Sequence, residues 1–117
     1  MKGIRGAITV RSNTVEDIAE ATETLLSTLV KRNALTMEEV VSVFFTLTPD
    51  LNADFPARSA RVAGWDAPML DMVELDVPHG LSSCLRVLIH VDRAEPVRHA
   101  YLRGAEVLRP DLESKNS

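Results

Sequence analysis

The chain has 117 residues, of which 45% are hydrophobic, 26% are charged and 4% are aromatic, and its formal net charge is -4. This length and balance indicate one globular domain, small enough that an active site shared between subunits is expected. The acidic charge and the scarcity of aromatic rings argue against a broad surface for nucleic acid or anionic lipid, so we expect neither partner.

The cysteine and histidine content argues against disulfide bonds and metal sites. The single cysteine, Cys84, excludes an internal disulfide. The three histidines lack metal-ligand spacing and no nucleotide-binding motif is present, so we expect no metal and no cofactor. No signal peptide and no apolar run of about 18 residues is found, which indicates a cytoplasmic protein.

The first half of the chain predicts a strand, a long helix and a second strand. Apolar residues over 3–10 predict the first strand, after which Asn13 or Thr14 can cap a helix. An apolar stripe over 18–30 recurs at helical spacing. The β-branched and aromatic run 40–48 then predicts a strand that is buried on both faces.

The second half predicts a short helix and three more strands. Pro56 suits the first turn of the helix and Gly64 suits its C-terminal cap. The runs 69–77, 84–91 and 97–102 predict strands. The order β-α-β-α-β-β-β therefore predicts an α+β domain, with a mixed β-sheet, one long helix and one shorter helix.

No linker or repeat divides the chain, so residues 1–112 are assigned to a single domain. Residues 113–117 lack apolar side chains and are expected to form a flexible C-terminal tail.

Arginines framed by hydrophobic residues are the most informative feature of the sequence. Alternation along 84–91 places Arg86 on a mostly apolar face, and nothing in that run can neutralise its charge. Arg5 and Arg109 have similar surroundings, and Glu74 lies in a strand that could supply a carboxylate. Because buried charges are paired or functional, an arginine-rich pocket with one acid is expected.

Several segments carry a resemblance to a known family. They are GIRGA at 3–7, TPDL at 48–51, FPA at 55–57, CLRV at 84–87, RHAYL at 98–102 and VLRPDL at 107–112. In this order and spacing they resemble the AroH class of monofunctional chorismate mutases over nearly the whole chain.

The resemblance implies a homotrimeric pseudo-α/β-barrel with active sites between neighbouring subunits. It implies an intramolecular isomerase that converts chorismate to prephenate, the step toward phenylalanine and tyrosine, by a Claisen rearrangement. It also implies that neither a cofactor nor a covalent intermediate takes part.

The resemblance further implies roles for individual residues. Arg86 would donate to the ether oxygen of chorismate, and Glu74 would accept a hydrogen bond from the ring hydroxyl; these are the expected catalytic residues. Arg5 and Tyr101 match ligands of the substrate carboxylates. The remaining matched positions line the hydroxyl end, the cleft wall and a C-terminal flap, and are Leu70, Asp71, Phe55, Ala57, Arg58, Arg61, Leu108 and Arg109.

Asp71 departs from the family pattern, which commonly has cysteine or another small neutral residue at this position. A second carboxylate is unfavourable near a dianionic substrate. Asp71 is therefore expected to point at the ring hydroxyl, to pair with Arg58 or Arg61, or to carry a proton.

Two other functions compete with the mutase as explanations of these residues. A non-catalytic trimeric binding protein for a carboxylate metabolite could use the same arginines, but a simple anion binder has no need of Glu74 in its pocket. A small hydrolase or deaminase would need a positioned base or nucleophile, and none is indicated.

Without the family resemblance, Arg86 would be interpreted differently. An arginine in an apolar strand is more often a structural or snorkelling residue than a catalytic one.

Overall fold

The computed structural model describes residues 1–109 and confirms both the α+β class and the predicted order of elements. The strands are β1 (Lys2–Thr9), β2 (Val40–Leu47), β3 (Met69–Val73), β4 (Cys84–Val91) and β5 (Ala100–Leu102). The helices are α1 (Val15–Asn33) and α2 (Pro56–Val62), and short 3-10 helices span Met37–Glu39 and Arg103–Leu108. The predicted tail, 113–117, lies outside the described residues.

Helix α1 follows from its cap and its apolar stripe. The side chain of Thr14 accepts a hydrogen bond from the backbone N–H of Asp17 at 3.1 Å, which satisfies one of the free donors of the first turn. Leu25 and Leu29 are fully buried against the sheet. A Cβ atom on Gly6 would lie 3.0 Å from the Cδ1 atoms of both leucines, so glycine permits the close approach of the helix.

Helix α2 is short because both of its ends are specified by sequence. Pro56 occupies the first turn, where its missing N–H costs nothing. After the helix, Gly64 adopts a positive φ of 100°. The N–H groups of Gly64 and Trp65 donate to the carbonyls of Arg61 and Ala60, which is the Schellman arrangement.

The five strands form one mixed sheet in the order β3-β2-β4-β1-β5. Strand β4 lies in the middle and runs antiparallel to both β1 and β2, while β3 and β5 form the edges. The core lies between the helices and one face of the sheet, which we call the helix face; it includes Ile4, Phe45 and Ile89. The opposite side is called the open face.

Three details of the predicted strands are wrong. Strand β2 is fully buried only on the helix face, since Phe44 and Thr46 on the open face are half-buried. Strand β3 ends at Val73 rather than at residue 77, because its neighbour β2 ends at the residue paired with it, Leu47.

Strand β5 begins at Ala100 rather than at residue 97. The reason is that the preceding backbone is bonded to α1 instead of to a strand. The N–H of Arg98 donates to the side chain of Asn33, and the carbonyl of Arg98 accepts from the same amide.

Candidate active site

Arg86 stands at the centre of the open face. The strand registers place Tyr101, Ala7, Arg86, Thr46 and Met72 in one row across the sheet. Its position on the central strand, with neighbours on both sides, holds Arg86 on a rigid platform.

A cavity of about 510 Å³ opens over this row. It contains two guanidinium groups and a phenol beside apolar side chains, which suits a small anion that also has an apolar part. The lining residues are Arg5, Gly6, Phe44, Thr46, Met72, Arg86, Val87, Leu88 and Tyr101.

Glu74 supplies the carboxylate beside Arg86. The Nε atom of Arg86 lies 2.9 Å from Oε1 of Glu74, and the side chains are 42% and 17% exposed respectively. The distance is that of an ion pair, but the N–H is not aligned for a hydrogen bond, and Oε2 of Glu74 is buried without a hydrogen-bond partner in the described chain. The exposed remainder of the guanidinium is therefore available to a ligand.

The segment 74–83 begins at the pocket carboxylate and is tied down at its other end by Asp50. The carboxylate of Asp50 accepts from the N–H of Ser83 at 2.9 Å, from its hydroxyl at 3.1 Å and from the hydroxyl of Thr48 at 2.6 Å. The Thr48 bond and the Ser83 bonds lower the pKa of Asp50 against the opposing effect of its partial burial. Thr48 also accepts from the N–H of Cys84, the first residue of β4.

A further cavity of about 480 Å³ lies under this segment, with Glu74 and Arg86 in its wall. Arg86 therefore lies between two cavities, whereas Glu74 lines only the one under the segment.

Asp71 points to the helix face, away from Arg86. Its Oδ1 atom accepts a hydrogen bond from the N–H of Ala57 at 3.1 Å, in the first turn of α2. Burial raises the pKa of Asp71, the Ala57 bond and the charge of Arg61 lower it, and the charge of Asp54 raises it. Within residues 1–109 no ion pair joins it to either expected arginine.

The predicted residues of the cleft wall form a second group near α2. A cavity of about 360 Å³ is lined by Phe55, Arg58 and Asp71 among others. Arg58 pairs with Asp54 at 3.5 Å. Ala57 is buried in α2 and Arg61 is exposed on it. This group does not line the cavity over Arg86 in the same chain.

Leu70 lies on the open face, where it is 56% exposed and paired with Phe44 in the ladder between β2 and β3. Leu70 lines neither the cavity over Arg86 nor the cavity near α2. The structure thus gathers Arg5, Glu74 and Tyr101 around Arg86, in the walls of two cavities, and leaves the predicted residues of the cleft wall near α2.

The predicted flap begins at the end of the described chain. Leu108 packs against a small cluster that contains Ala7, Cys84 and Tyr101. The pKa of His99 is lowered by burial and by the nearby charges of Arg5 and Arg109. Residues 110–117 lie beyond the part that the structure describes.

Two neighbours of the site were not predicted from sequence. The N–H of Arg5 donates to Nδ1 of His99 at 2.9 Å, so this ring nitrogen carries no proton in the contact. Thr46 lies opposite Arg86 in the ladder between β2 and β4. The alternation of Ser42 and Thr46 in an otherwise apolar run was the available signal, because it places both hydroxyls on one face of the strand.

The side chains of the described residues limit the kinds of reaction that the site could catalyse. Burial raises the pKa of the Cys84 thiol to about 11, so a thiolate nucleophile is not available near neutral pH. Within residues 1–109 there is no group of three or more acidic, histidine or cysteine side chains that could hold a metal ion. No helix in the same range is long and apolar enough to cross a membrane.

The fold and the site together are those of a small α+β domain with a cavity lined by two arginines, a tyrosine and apolar side chains. Comparison with known proteins gives a specific family: the chain belongs to the chorismate mutase type I family, whose sequence model matches residues 1–112. The family resemblance of the sequence segments is thereby confirmed.

Individual relatives match over almost their full length. The chain is 42% identical to chorismate mutase AroH of Bacillus subtilis (strain 168), covering 100% of this chain and 97% of that protein. It is 45% identical to chorismate mutase AroH of Thermus thermophilus, covering 97% and 98%. A solved chorismate mutase from Clostridium thermocellum superposes with a TM-score of 0.89 at 40% identity, covering 92% of this chain and 99% of the other.

Proposed function

We propose that this protein is a chorismate mutase, an isomerase that converts chorismate to prephenate in phenylalanine and tyrosine biosynthesis. The observation that carries the proposal is the ion pair of Arg86 and Glu74, with Arg86 in the wall of an arginine-lined cavity, in a chain that belongs to this family.

The proposed reaction explains why the site has charge but no nucleophile. A Claisen rearrangement breaks an ether C–O bond as a C–C bond forms, so no proton is transferred and no covalent intermediate arises. What the reaction needs is a fixed conformation of the substrate, and orientation of this kind can contribute up to ~7–11 kcal/mol.

Arg86 is the proposed electrostatic catalyst. Negative charge builds on the ether oxygen as the C–O bond breaks, and a fixed donor at that oxygen stabilises the transition state more than the ground state. The exposed part of the guanidinium faces the cavity space, while the ion pair with Glu74 holds its Nε end.

Glu74 is the proposed acceptor for the ring hydroxyl of the substrate. Its Oε1 atom lies against Arg86, whereas its Oε2 atom has no hydrogen-bond partner in residues 1–109. A substrate hydroxyl that donates to Oε2 would satisfy that atom and fix the ring. Glu74 would thereby orient both the substrate and the catalytic arginine.

Arg5 and Tyr101 are the proposed ligands of the substrate carboxylates. Both line the cavity over Arg86, and the N–H of Arg5 is held by His99 so that its strand position is fixed. Phe44 and Leu88 provide an apolar floor between the charged groups, which would limit the water around the substrate.

A homotrimer would complete the site. The cleft-wall group lies near α2, away from the cavity over Arg86, so a neighbouring subunit would have to supply it. Exposed apolar side chains on or beside the open face favour such an assembly. The residues proposed to come from the neighbour are Phe55, Ala57, Arg58, Arg61, Leu70 and Asp71, whereas Leu108 and Arg109 of the flap lie near Tyr101 and His99 of the same chain.

The proposed enzyme works in the cytoplasm on a free small molecule, without nucleic acid or a membrane as partner and without a cofactor. The acidic net charge of -4 is in keeping with this, since a surface for polyanions would be basic.

The direct test is the loss of chorismate absorbance with purified protein, together with identification of prephenate as the product. We expect turnover in the wild type and its loss in Arg86→Ala, with Arg11→Ala as a control because that arginine is exposed beyond the end of β1. Binding of chorismate without conversion would instead indicate a carboxylate-binding protein. Absence of both binding and conversion would refute the proposal.

A further inference from the structure

Thr46 lies in the cavity over Arg86 but has no role in the mechanism above. Its hydroxyl oxygen is buried and makes no hydrogen bond to any residue of the described chain. A buried polar group that is left without a partner costs about 1–3 kcal/mol, and native proteins leave few of them. Such a group on the floor of a binding cavity indicates that a ligand supplies the missing partner.

The location of Thr46 is fixed by its strand. It pairs with Arg86 on one side and with Met72 on the other, all on the open face. Tyr101 lies at the opposite end of the same row, across Ala7. Thr46 therefore contacts the part of the cavity on the far side of the arginine from the tyrosine.

Unsatisfied polar atoms are concentrated at this point. Besides the Thr46 hydroxyl, Nε of Arg86 and Oε2 of Glu74 are buried without hydrogen-bond partners in residues 1–109. Arg86 is adjacent to both of the others, through the strand ladder and through the 2.9 Å ion pair. Because Nε of Arg86 is already held by the ion pair, the Thr46 hydroxyl and Oε2 of Glu74 remain as a donor and an acceptor, which suits a substrate with both oxyanions and a hydroxyl.

We propose that Thr46 is a substrate-binding residue whose hydroxyl donates a hydrogen bond to an oxygen of the bound dicarboxylate, on the side of Arg86 away from Arg5 and Tyr101. This inference rests on the proposed function. The β-branch of threonine restricts χ1, so the hydroxyl is held in one orientation before the substrate arrives. The bond is made in the bound substrate and in the transition state alike, so it acts on affinity more than on turnover.

Thr46→Val tests the proposal because it keeps the branched shape and removes the hydroxyl. We expect kcat/KM for chorismate to fall about tenfold, mainly through KM, and the Kd for prephenate measured by calorimetry to rise about as much. The melting temperature of the free protein should rise, since a buried hydroxyl without a partner has been removed. A residue with a merely structural role would not combine weaker binding with higher stability.

Ser42→Ala is the matched control. Ser42 lies on the same strand and the same face, but its hydroxyl is bonded to the ring of His90 at 3.0 Å and not to the cavity. Its removal should leave kcat/KM and the Kd for prephenate within about twofold of the wild type.

A Thr46→Val protein that keeps the wild-type kcat/KM and Kd overturns the proposal. If that variant does not fold or changes its oligomeric state, Thr46→Ser and Thr46→Ala provide the comparison, because only serine keeps a hydroxyl; equal Kd values for prephenate in these two would overturn it equally. A wild-type protein that fails to convert chorismate refutes the proposed function, while prephenate binding to the variants still tests Thr46.

Discussion

At the scale of single residues, the contact between Arg86 and Glu74 holds one atom of an arginine while the rest of its guanidinium remains partly exposed. The ion pair involves Nε of Arg86 at 2.9 Å, and the side chain remains 42% exposed. A guanidinium can bind one oxygen at its inner edge and another at its outer edge, which a lysine ammonium cannot do from the same position. The proposed mechanism therefore depends on arginine itself and not only on its charge.

Arg86→Lys tests this dependence. We expect kcat to fall by about 100- to 1,000-fold, the range typical for removal of one fixed donor to a transition-state oxyanion. Arg93→Lys is the control, because Arg93 also pairs with a glutamate, Glu39, at 2.7 Å but away from the cavity. Near-normal turnover by Arg86→Lys would rule out the proposed role.

Asp71 gives a prediction about pH and stability. Burial is the main cause that raises its pKa, so folding favours its protonated form. Its contribution to stability is then complete below the unfolded pKa, near 3.8, and is lost as the pH rises through the higher folded pKa. Asp71→Asn keeps an acceptor for the N–H of Ala57 without the charge.

We therefore expect Asp71→Asn to raise the melting temperature at pH 7, by an amount that vanishes as the pH falls toward 3.8. Asp71→Ala should instead lower it, because the N–H of Ala57 loses its partner. Thermal unfolding across this pH range measures both. An Asn variant that is less stable than the wild type at pH 7 would show that the carboxylate charge stabilises α2.

The proximity of Arg86 and Glu74 could be anticipated from sequence, whereas the partner of Asp71 could not. The alternation of side chains along β4 determines which face carries Arg86, and this is a local property of the strand. The contact of Asp71 with Ala57 depends on how α2 docks beside β3, which no local pattern specifies. For the same reason, the alternatives predicted for Asp71 did not include a bond to the helix.

At the scale of elements, the segment 74–83 is held at its ends and makes few other hydrogen bonds to residues 1–109. Its first N–H, on Glu74, donates to the carbonyl of Leu47, and Ser83 at the other end is fixed by Asp50. Ser83 has a φ of 49°, an unfavourable value for a residue other than glycine. The Asp50 carboxylate offsets that strain, so it determines where the segment rejoins the sheet.

Asp50→Ala should release this end of the segment. We expect faster hydrogen exchange in 74–83 and a fall in kcat/KM of about tenfold or more, because small displacements of groups that hold substrate are costly in rate. Asp66→Ala, at an exposed aspartate outside the segment, is the control. Unchanged exchange and unchanged kcat/KM in Asp50→Ala would show that the segment is held by other contacts.

The elements differ in how far their bounds could be predicted. Strands β1 and β4 and helix α1 have local signals, namely an apolar pattern and a cap, and their observed bounds follow the prediction closely. Strands β3 and β5 are edges of the sheet: β3 ends where its neighbour β2 ends, and β5 begins only after the backbone that is bonded to α1. The lengths of β3 and β5 depend on tertiary contacts, which the local sequence pattern does not specify.

At the scale of the whole molecule, the open face carries exposed apolar side chains beside the charged groups of the site. Leu70 and Met72 on β3 are 56% and 41% exposed there. Phe44, on the neighbouring strand β2, lies on the same face between β3 and β4. Apolar side chains gathered on one sheet face favour burial against another protein surface. The proposed trimer would bury this face and complete the cleft in the same step.

Leu70→Glu tests the coupling of assembly to activity. We expect light scattering after gel filtration to show a trimer for the wild type and a smaller species for the variant, with chorismate turnover lost in parallel. The reason is the high cost of burying an unpaired carboxylate in an apolar interface. Ser27→Glu adds the same charge at an exposed position on α1 and should remain trimeric and active. A monomeric wild type that turns over chorismate would contradict the proposed assembly.

The strand order has a consequence for how activity is lost on heating. Strand β4 is bonded along its whole length to β1 and β2, so its amide protons can exchange only when the entire sheet opens. Tyr101 lies on the three-residue edge strand β5, and Glu74 follows the other edge strand, β3. Partial opening at either edge would remove a ligand while Arg86 is still held in place. Thermal inactivation should therefore precede the cooperative transition seen by calorimetry, and cooling from that intermediate range should restore activity without refolding of the core.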